Sequence, residues 1–128
     1  MYKLNGVMYS AEEIKSKVKE LAKQIEKDYA GEELRVVGIL KGASVFCADL
    51  IREIDLDVRM DFMVVSSYGS STESSGTVKI IKDLDVDIEN KNVLIVEDII
   101  DSGLTLSSLV AALKTRRPKS LKLCTLLD

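Results

Sequence analysis

Three carboxylates and a small-residue turn stand together in Glu97-Asp98-Ile99-Ile100-Asp101-Ser102-Gly103-Leu104-Thr105, directly after the aliphatic run Val93 to Val96. The run has the β-branched and aliphatic composition of a strand covered on both faces in a parallel sheet, which places the carboxylates at its C-terminal end. After the turn, Leu106, Leu109, Val110 and Leu113 recur at helical spacing, so a helix begins there. Its first backbone N–H groups have no partner within the helix, and the macrodipole makes that end positive. Ser102 and Thr105 add hydroxyl donors around Gly103, a combination suited to a phosphate. Carboxylates beside an anion site repel a bare phosphate, so Glu97, Asp98 and Asp101 are better matched to sugar hydroxyls, a metal or a titrating base. The ligand these residues imply is a phosphorylated sugar.

The elements that must position this site follow from the rest of the chain. Ser10-Ala11-Glu12-Glu13 is an N-cap followed by first-turn acids, and Ile14, Val18, Leu21, Ala22 and Ile25 form one helical stripe that ends near Ala30-Gly31. Arg35 to Leu40 reads as a buried strand, Val45 to Ile54 as a helix and Val58 to Ser66 as a strand with mixed inward and outward positions. Val93 to Val96, a helix from about Gly103 to Thr115, and Leu121 to Leu127 make a second β-α-β unit. Parallel strands joined by right-handed helical crossovers predict an α/β fold, a doubly wound parallel sheet whose ligands bind at the strands' C-terminal ends. Between the two units, Ser70-Ser71-Thr72-Glu73-Ser74-Ser75-Gly76 has no apolar anchor, and Thr77 to Ile81 reads as a short returning strand. Together these predict a flap over about residues 66–81.

Composition bounds the remaining possibilities. A chain of 128 residues with 46% hydrophobic residues is sized for one domain with its own core. The net charge of -3 carries no electrostatic footprint for nucleic acid or for a basic membrane face. No stretch approaches the roughly 18 apolar residues of a membrane span, and the first residues contain no apolar signal region, so the expectation is a cytoplasmic protein. Histidine is absent, which removes Ser-His and Cys-His nucleophiles and most zinc sites. Carboxylates, Lys, Tyr and the backbone remain, a set suited to electrostatic stabilisation and carboxylate proton transfer. Cys47 and Cys124 sit among apolar neighbours and read as buried reduced thiols. Lys82 to Glu89 alternates acids with apolar residues without the glycine and ligand spacing of a calcium loop, and reads as an exposed connection. Arg116-Arg117-Pro118-Lys119 is a basic helix end complementing the dipole.

The run Glu97 to Thr105 resembles the 5-phosphoribosyl 1-pyrophosphate motif of purine phosphoribosyltransferases of the hypoxanthine-guanine type, marked by its two leading acids. Leu40-Lys41-Gly42-Ala43 is similar to that family's pyrophosphate loop, and Ser66-Ser67-Tyr68-Gly69 opens a stretch like its mobile flap. The resemblance covers the whole chain in order and spacing. It implies the phosphoribosyltransferase type I fold and a purine salvage reaction that moves the 5-phosphoribosyl group to hypoxanthine or guanine and releases pyrophosphate and a purine nucleoside monophosphate. It further implies that Lys41 and Gly42 take the pyrophosphate, and that Glu97 and Asp98 hold the ribose hydroxyls partly alongside Mg2+. Asp101 through Thr105, that is Asp101, Ser102, Gly103, Leu104 and Thr105, take the 5′-phosphate, with Asp101 as general base; Ser67 and Tyr68 act from the flap. Dimers or tetramers are expected on the same ground. The family pattern continues past Leu127 with a segment that supplies a purine-reading lysine, a stacking aromatic residue, and an aspartate and arginine for magnesium and pyrophosphate. On this reading the chain is C-terminally incomplete. Two other readings share the donor motif: a transferase for xanthine or a pyrimidine, and a non-catalytic regulator that binds a phosphoribosyl ligand.

Overall fold

A computed structural model of the chain describes residues 2–4, 7–40, 42–67, 78–99 and 103–127. Two three-residue strands, β1 (Tyr2–Leu4) and β2 (Val7–Tyr9), pair antiparallel and precede the main body. They are too short for any periodicity to announce them in sequence. Helix α1 (Ala11–Asp28) then starts from Ser10, whose hydroxyl accepts from the Glu13 N–H at 3.1 Å while the Glu13 carboxylate accepts from the Ser10 N–H. This capping box satisfies two of the donors that a helix start leaves open. Val18, Ala22 and Ile25 form its buried stripe, and the helix ends at Tyr29 ahead of Gly31, which takes a φ of +77°.

The remaining elements are β3 (Leu34–Ile39), α2 (Ser44–Glu53), β4 (Val58–Ser67), β5 (Val78–Lys82), β6 (Asn92–Ile99), α3 (Gly103–Lys114) and β7 (Ser120–Leu127). They build a five-stranded sheet in the order β5-β4-β3-β6-β7. β3 pairs parallel with both β4 and β6, and β6 pairs parallel with β7. β5 is the exception, antiparallel to β4. The doubly wound parallel core is thus edged by the short returning strand expected near residues 77–81, with a register shift between Val64 and Val65.

Alternation along the central strands divides the core into two layers. Leu34 and Val36 of β3 and Leu94 and Val96 of β6 face α1 and α2, where they meet Val18, Ala22, Phe46, Cys47 and Leu50. Val37 and Ile39 of β3 and Val93 and Ile95 of β6 face α3, meeting Leu109 and Leu113. Every residue of β3 is buried, as a strand covered on both faces requires. Cys47 and Cys124 are free and buried, and burial pushes both thiols up to about 11. The connection 83–91 is mainly exposed, but Ile88 turns inward and is buried in the α3 layer. Among the described residues no helix is long and apolar enough to cross a membrane.

Candidate phosphoribosyl site

β3 and β6 lie side by side, yet the chain leaves them toward opposite faces: after β3 into α2, after β6 into α3. A sheet whose strand order reverses between two such neighbours opens a crevice at their carboxyl ends. The last β3–β6 pair, Gly38↔Val96, marks the floor of that crevice. One residue further along β6 stands Glu97, and four further along from Gly38 stands Gly42.

On the β3 side, the Leu40 N–H donates to the Met63 carbonyl at 2.9 Å and the Ala43 N–H donates to the Ile39 carbonyl at 3.3 Å. Ala43 is fully buried and Gly42 exposed, so the turn is anchored behind while its outer surface remains open. Anion recognition by backbone N–H groups needs such a fixed but uncovered turn. Lys41, the other residue expected to take pyrophosphate, lies outside the described residues.

On the β6 side the strand is longer than its aliphatic run, because pairing with β7 continues through Glu97↔Thr125 to Ile99↔Leu127. Glu97 and Asp98 are therefore strand residues rather than loop residues, held by a ladder on the β7 side after the β3 ladder has ended. By alternation Glu97 shares the face of Val93 and Ile95, the one covered by α3, and it is half-buried. α3 opens at Gly103, so Gly103, Leu104 and Thr105 form its first turn, where unpaired N–H groups concentrate positive potential. Asp101 and Ser102 lie outside the described residues.

β4 ends at the same side of the sheet with Ser67, paired to Val78 of β5. Tyr68 and the rest of the 68–77 segment, the centre of the expected flap, lie outside the described residues. The fold thus gathers Gly42, Glu97, Asp98, the α3 start and the end of β4 at one pole.

Two residues near this pole carried no recognised signal in sequence. Gly38 is one: a β-carbon there would stand 2.8 Å from the Phe62 ring and 3.1 Å from the Cys47 sulfur. Asp61 is the other, a carboxylate only 4% exposed, with the parity of the inward residues Met63 and Val65 in its strand. That parity was the available cue. Among the described residues no cluster of three or more His, Cys, Asp or Glu could hold a metal ion.

Comparison with known proteins agrees with this geometry. Residues 8–128 match the family model of the phosphoribosyl transferase domain. The chain is 55% identical over 125 residues to the hypoxanthine-guanine phosphoribosyltransferase of Bacillus subtilis, covering 98% of this chain and 69% of that protein. It is 50% identical over 130 residues to the enzyme of the same name from Mycobacterium avium, covering 97% of this chain and 64% of the relative. The chain therefore spans about two thirds of the length of these relatives. A crystal structure of a hypoxanthine-guanine phosphoribosyltransferase from Bacillus anthracis superposes with a TM-score of 0.88 at 53% identity, over 97% of this chain and 73% of that one. With that agreement in residues, order and fold, the chain belongs to the phosphoribosyltransferase family, among its hypoxanthine-guanine phosphoribosyltransferases.

Proposed function

We propose that the full-length protein transfers the 5-phosphoribosyl group from 5-phosphoribosyl 1-pyrophosphate to hypoxanthine or guanine, giving IMP or GMP and pyrophosphate. The observation that supports this most directly is the convergence of the Gly42 turn, the Glu97-Asp98 strand end and the α3 start at the switch point between β3 and β6. In the reaction the bond from the ribose anomeric carbon to pyrophosphate breaks and a bond from a purine nitrogen to that carbon forms. Positive charge grows on the sugar as the leaving group departs, so catalysis consists of gripping both phosphate ends and holding the separated charge.

Lys41 and the Gly42 turn take the pyrophosphate. Ser102, Gly103, Leu104 and Thr105 take the 5′-phosphate with backbone N–H and hydroxyl donors, helped by the positive end of α3. Glu97 and Asp98 orient the ribose hydroxyls, and Asp101 accepts the proton that the purine nitrogen loses. Ser67 and Tyr68 contact the bound donor from the flap and so exclude water from the forming cation. Glu97 and Asp98 also offer hard oxygen donors that fit magnesium, an ion usually held by one or two carboxylates and otherwise by substrate phosphates. When bound, magnesium neutralises charge on the pyrophosphate. The reading extends to a cytoplasmic protein that assembles as a dimer or tetramer.

The test is pyrophosphate release by the full-length protein with hypoxanthine, guanine, xanthine, adenine or uracil as acceptor. Release with hypoxanthine and guanine is expected, and a preference for xanthine or uracil, or none for any base, refutes the assignment. Asp101→Asn should lower kcat by about 100-fold, the usual size of a lost general base, with little change in KM for the donor. Wild-type turnover in that variant refutes the role given to Asp101.

A further inference from the structure

The β4–β5 arm is anchored at its base by side chains. Its ladder begins at Val64↔Lys82, and below that point 83–86 runs past 61–62 without strand pairing. Asp61 fills this gap. One carboxylate oxygen accepts from the Phe62 N–H at 2.8 Å, and the other accepts from the Asp85 and Val86 N–H groups at 2.9 and 3.4 Å. Lys82 crosses in the opposite direction, its ammonium donating to the carbonyls of Phe62 and Asp83 at 3.0 Å each. Next to this junction, the Asp83 carboxylate takes two hydrogen bonds from Arg116, at 2.7 and 2.9 Å, in the turn that ends α3. A carboxylate that is 4% exposed is costly to bury without partners, and here three backbone amides supply them, so the carboxylate and the two chain segments hold one another in place.

We propose that Asp61 and Lys82 are positioning residues for the phosphoribosyl donor: they fix the base of the β4–β5 arm against the 83–86 segment, and that arm ends in Ser67 at the pole where the site lies. This rests on the functional reading above. Neither residue touches the donor; each acts through the arm. Asn at position 61 can satisfy one side of the junction only, because its amide NH2 then faces an N–H donor. The effect should appear in donor binding before it appears in chemistry.

The experiment compares full-length wild type with Asp61→Asn, Lys82→Met and Ile88→Val. The last removes one methylene from the buried layer beside the junction and leaves the junction's hydrogen bonds in place. Two measurements are made: donor KM and kcat with saturating hypoxanthine, and hydrogen exchange of the amides in 64–67 and 78–82. Asp61→Asn and Lys82→Met should raise donor KM at least about fivefold with kcat changed less than twofold. Arm amides should exchange about tenfold faster while those of β3 and β6 keep their protection. Ile88→Val should leave KM unaltered. Unchanged KM in both junction variants, or an equal rise in Ile88→Val, overturns the proposal, as does unaltered exchange in the arm. Should Asp61→Asn fail to fold, Lys82→Met decides, since its side chain is 40% exposed and its loss leaves no buried charge. A wild type that releases no pyrophosphate with any base overturns the functional reading instead, and the exchange data still decide whether the arm is clamped.

Discussion

Replacing Gly38 with Ala tests how tightly the floor of the crevice is packed. Gly38 sits in β3 opposite Phe62 of β4, and an added β-carbon would stand 2.8 Å and 2.9 Å from two carbons of the Phe62 ring and 3.1 Å from the Cys47 sulfur. Carbon atoms in contact settle near 3.5–4.0 Å, so the ring must withdraw by about 0.7 Å. It cannot do so toward Cys47, which the same β-carbon also crowds. Overpacking of this kind costs about 1–3 kcal/mol. Against it stands about 0.4–1 kcal/mol gained because alanine restricts the unfolded chain. The net expectation is a loss of about 1–2 kcal/mol, a fall in Tm of roughly 2–8 °C for a protein of its relatives' length, of which this chain covers about two thirds. Urea titration and thermal melts of the full-length protein read it directly. Phe62→Leu supplies the second arm, since a smaller side chain vacates the space and should restore at least about 1 kcal/mol in the Gly38→Ala background. Gly38→Ala at or above wild-type stability, or strictly additive behaviour of the two substitutions, would refute the packing argument.

Two further outcomes follow from the charges and thiols. The Arg116 guanidinium beside Asp83 holds its carboxyl below the ordinary value of 3.8, so the pair contributes stability above that value, and the contribution is lost as pH falls through the lower folded one. Both side chains are substantially exposed, so a double-mutant cycle with Asp83→Asn and Arg116→Gln should give only about 0.5–1 kcal/mol at pH 7, shrinking at pH 3 and in 1 M salt. A coupling energy unaffected by either condition would show that the pair does not act through charge. Cys47 and Cys124, with thiols pushed up to about 11, should react with a disulfide reagent at pH 8 roughly 100-fold more slowly in the native protein than in denaturant. A native thiol reacting at the free-cysteine rate contradicts their burial.

Much of the scaffold was legible because its signals are local. The Ser10 cap, the α1 stripe, the aliphatic runs of β3 and β6 and the composition of the α3 start each state their element within a few residues, and the boundaries found differ from those expected by at most three positions. The largest difference, the extension of β6 through Ile99, is tertiary in origin. Glu97-Asp98 reads as the beginning of a loop until β7 is laid beside it, and only then does a ladder continue through both acids. The N-terminal hairpin was missed because three residues per strand carry no period. Asp83 and Arg116 were read as a solvated acid and a dipole-complementing base, and 33 residues of separation hide their pairing.

Residue types and order along the chain by themselves determined which chemistry is available. A histidine-free set of carboxylates and a helix start suited to phosphate pointed to a phosphorylated sugar, and the resemblance of these runs and of the lysine-glycine turn to purine phosphoribosyltransferase motifs implied a phosphoribosyl donor. Tertiary structure alone decided that the Gly42 turn and Glu97 share one crevice, that a glycine was required at position 38, and that Asp61 is a buried junction rather than a surface charge. The physical reason is that chemistry resides in side chains, which sequence names directly. Proximity across a sheet depends on strand order and register, and those are fixed by which faces can be buried together.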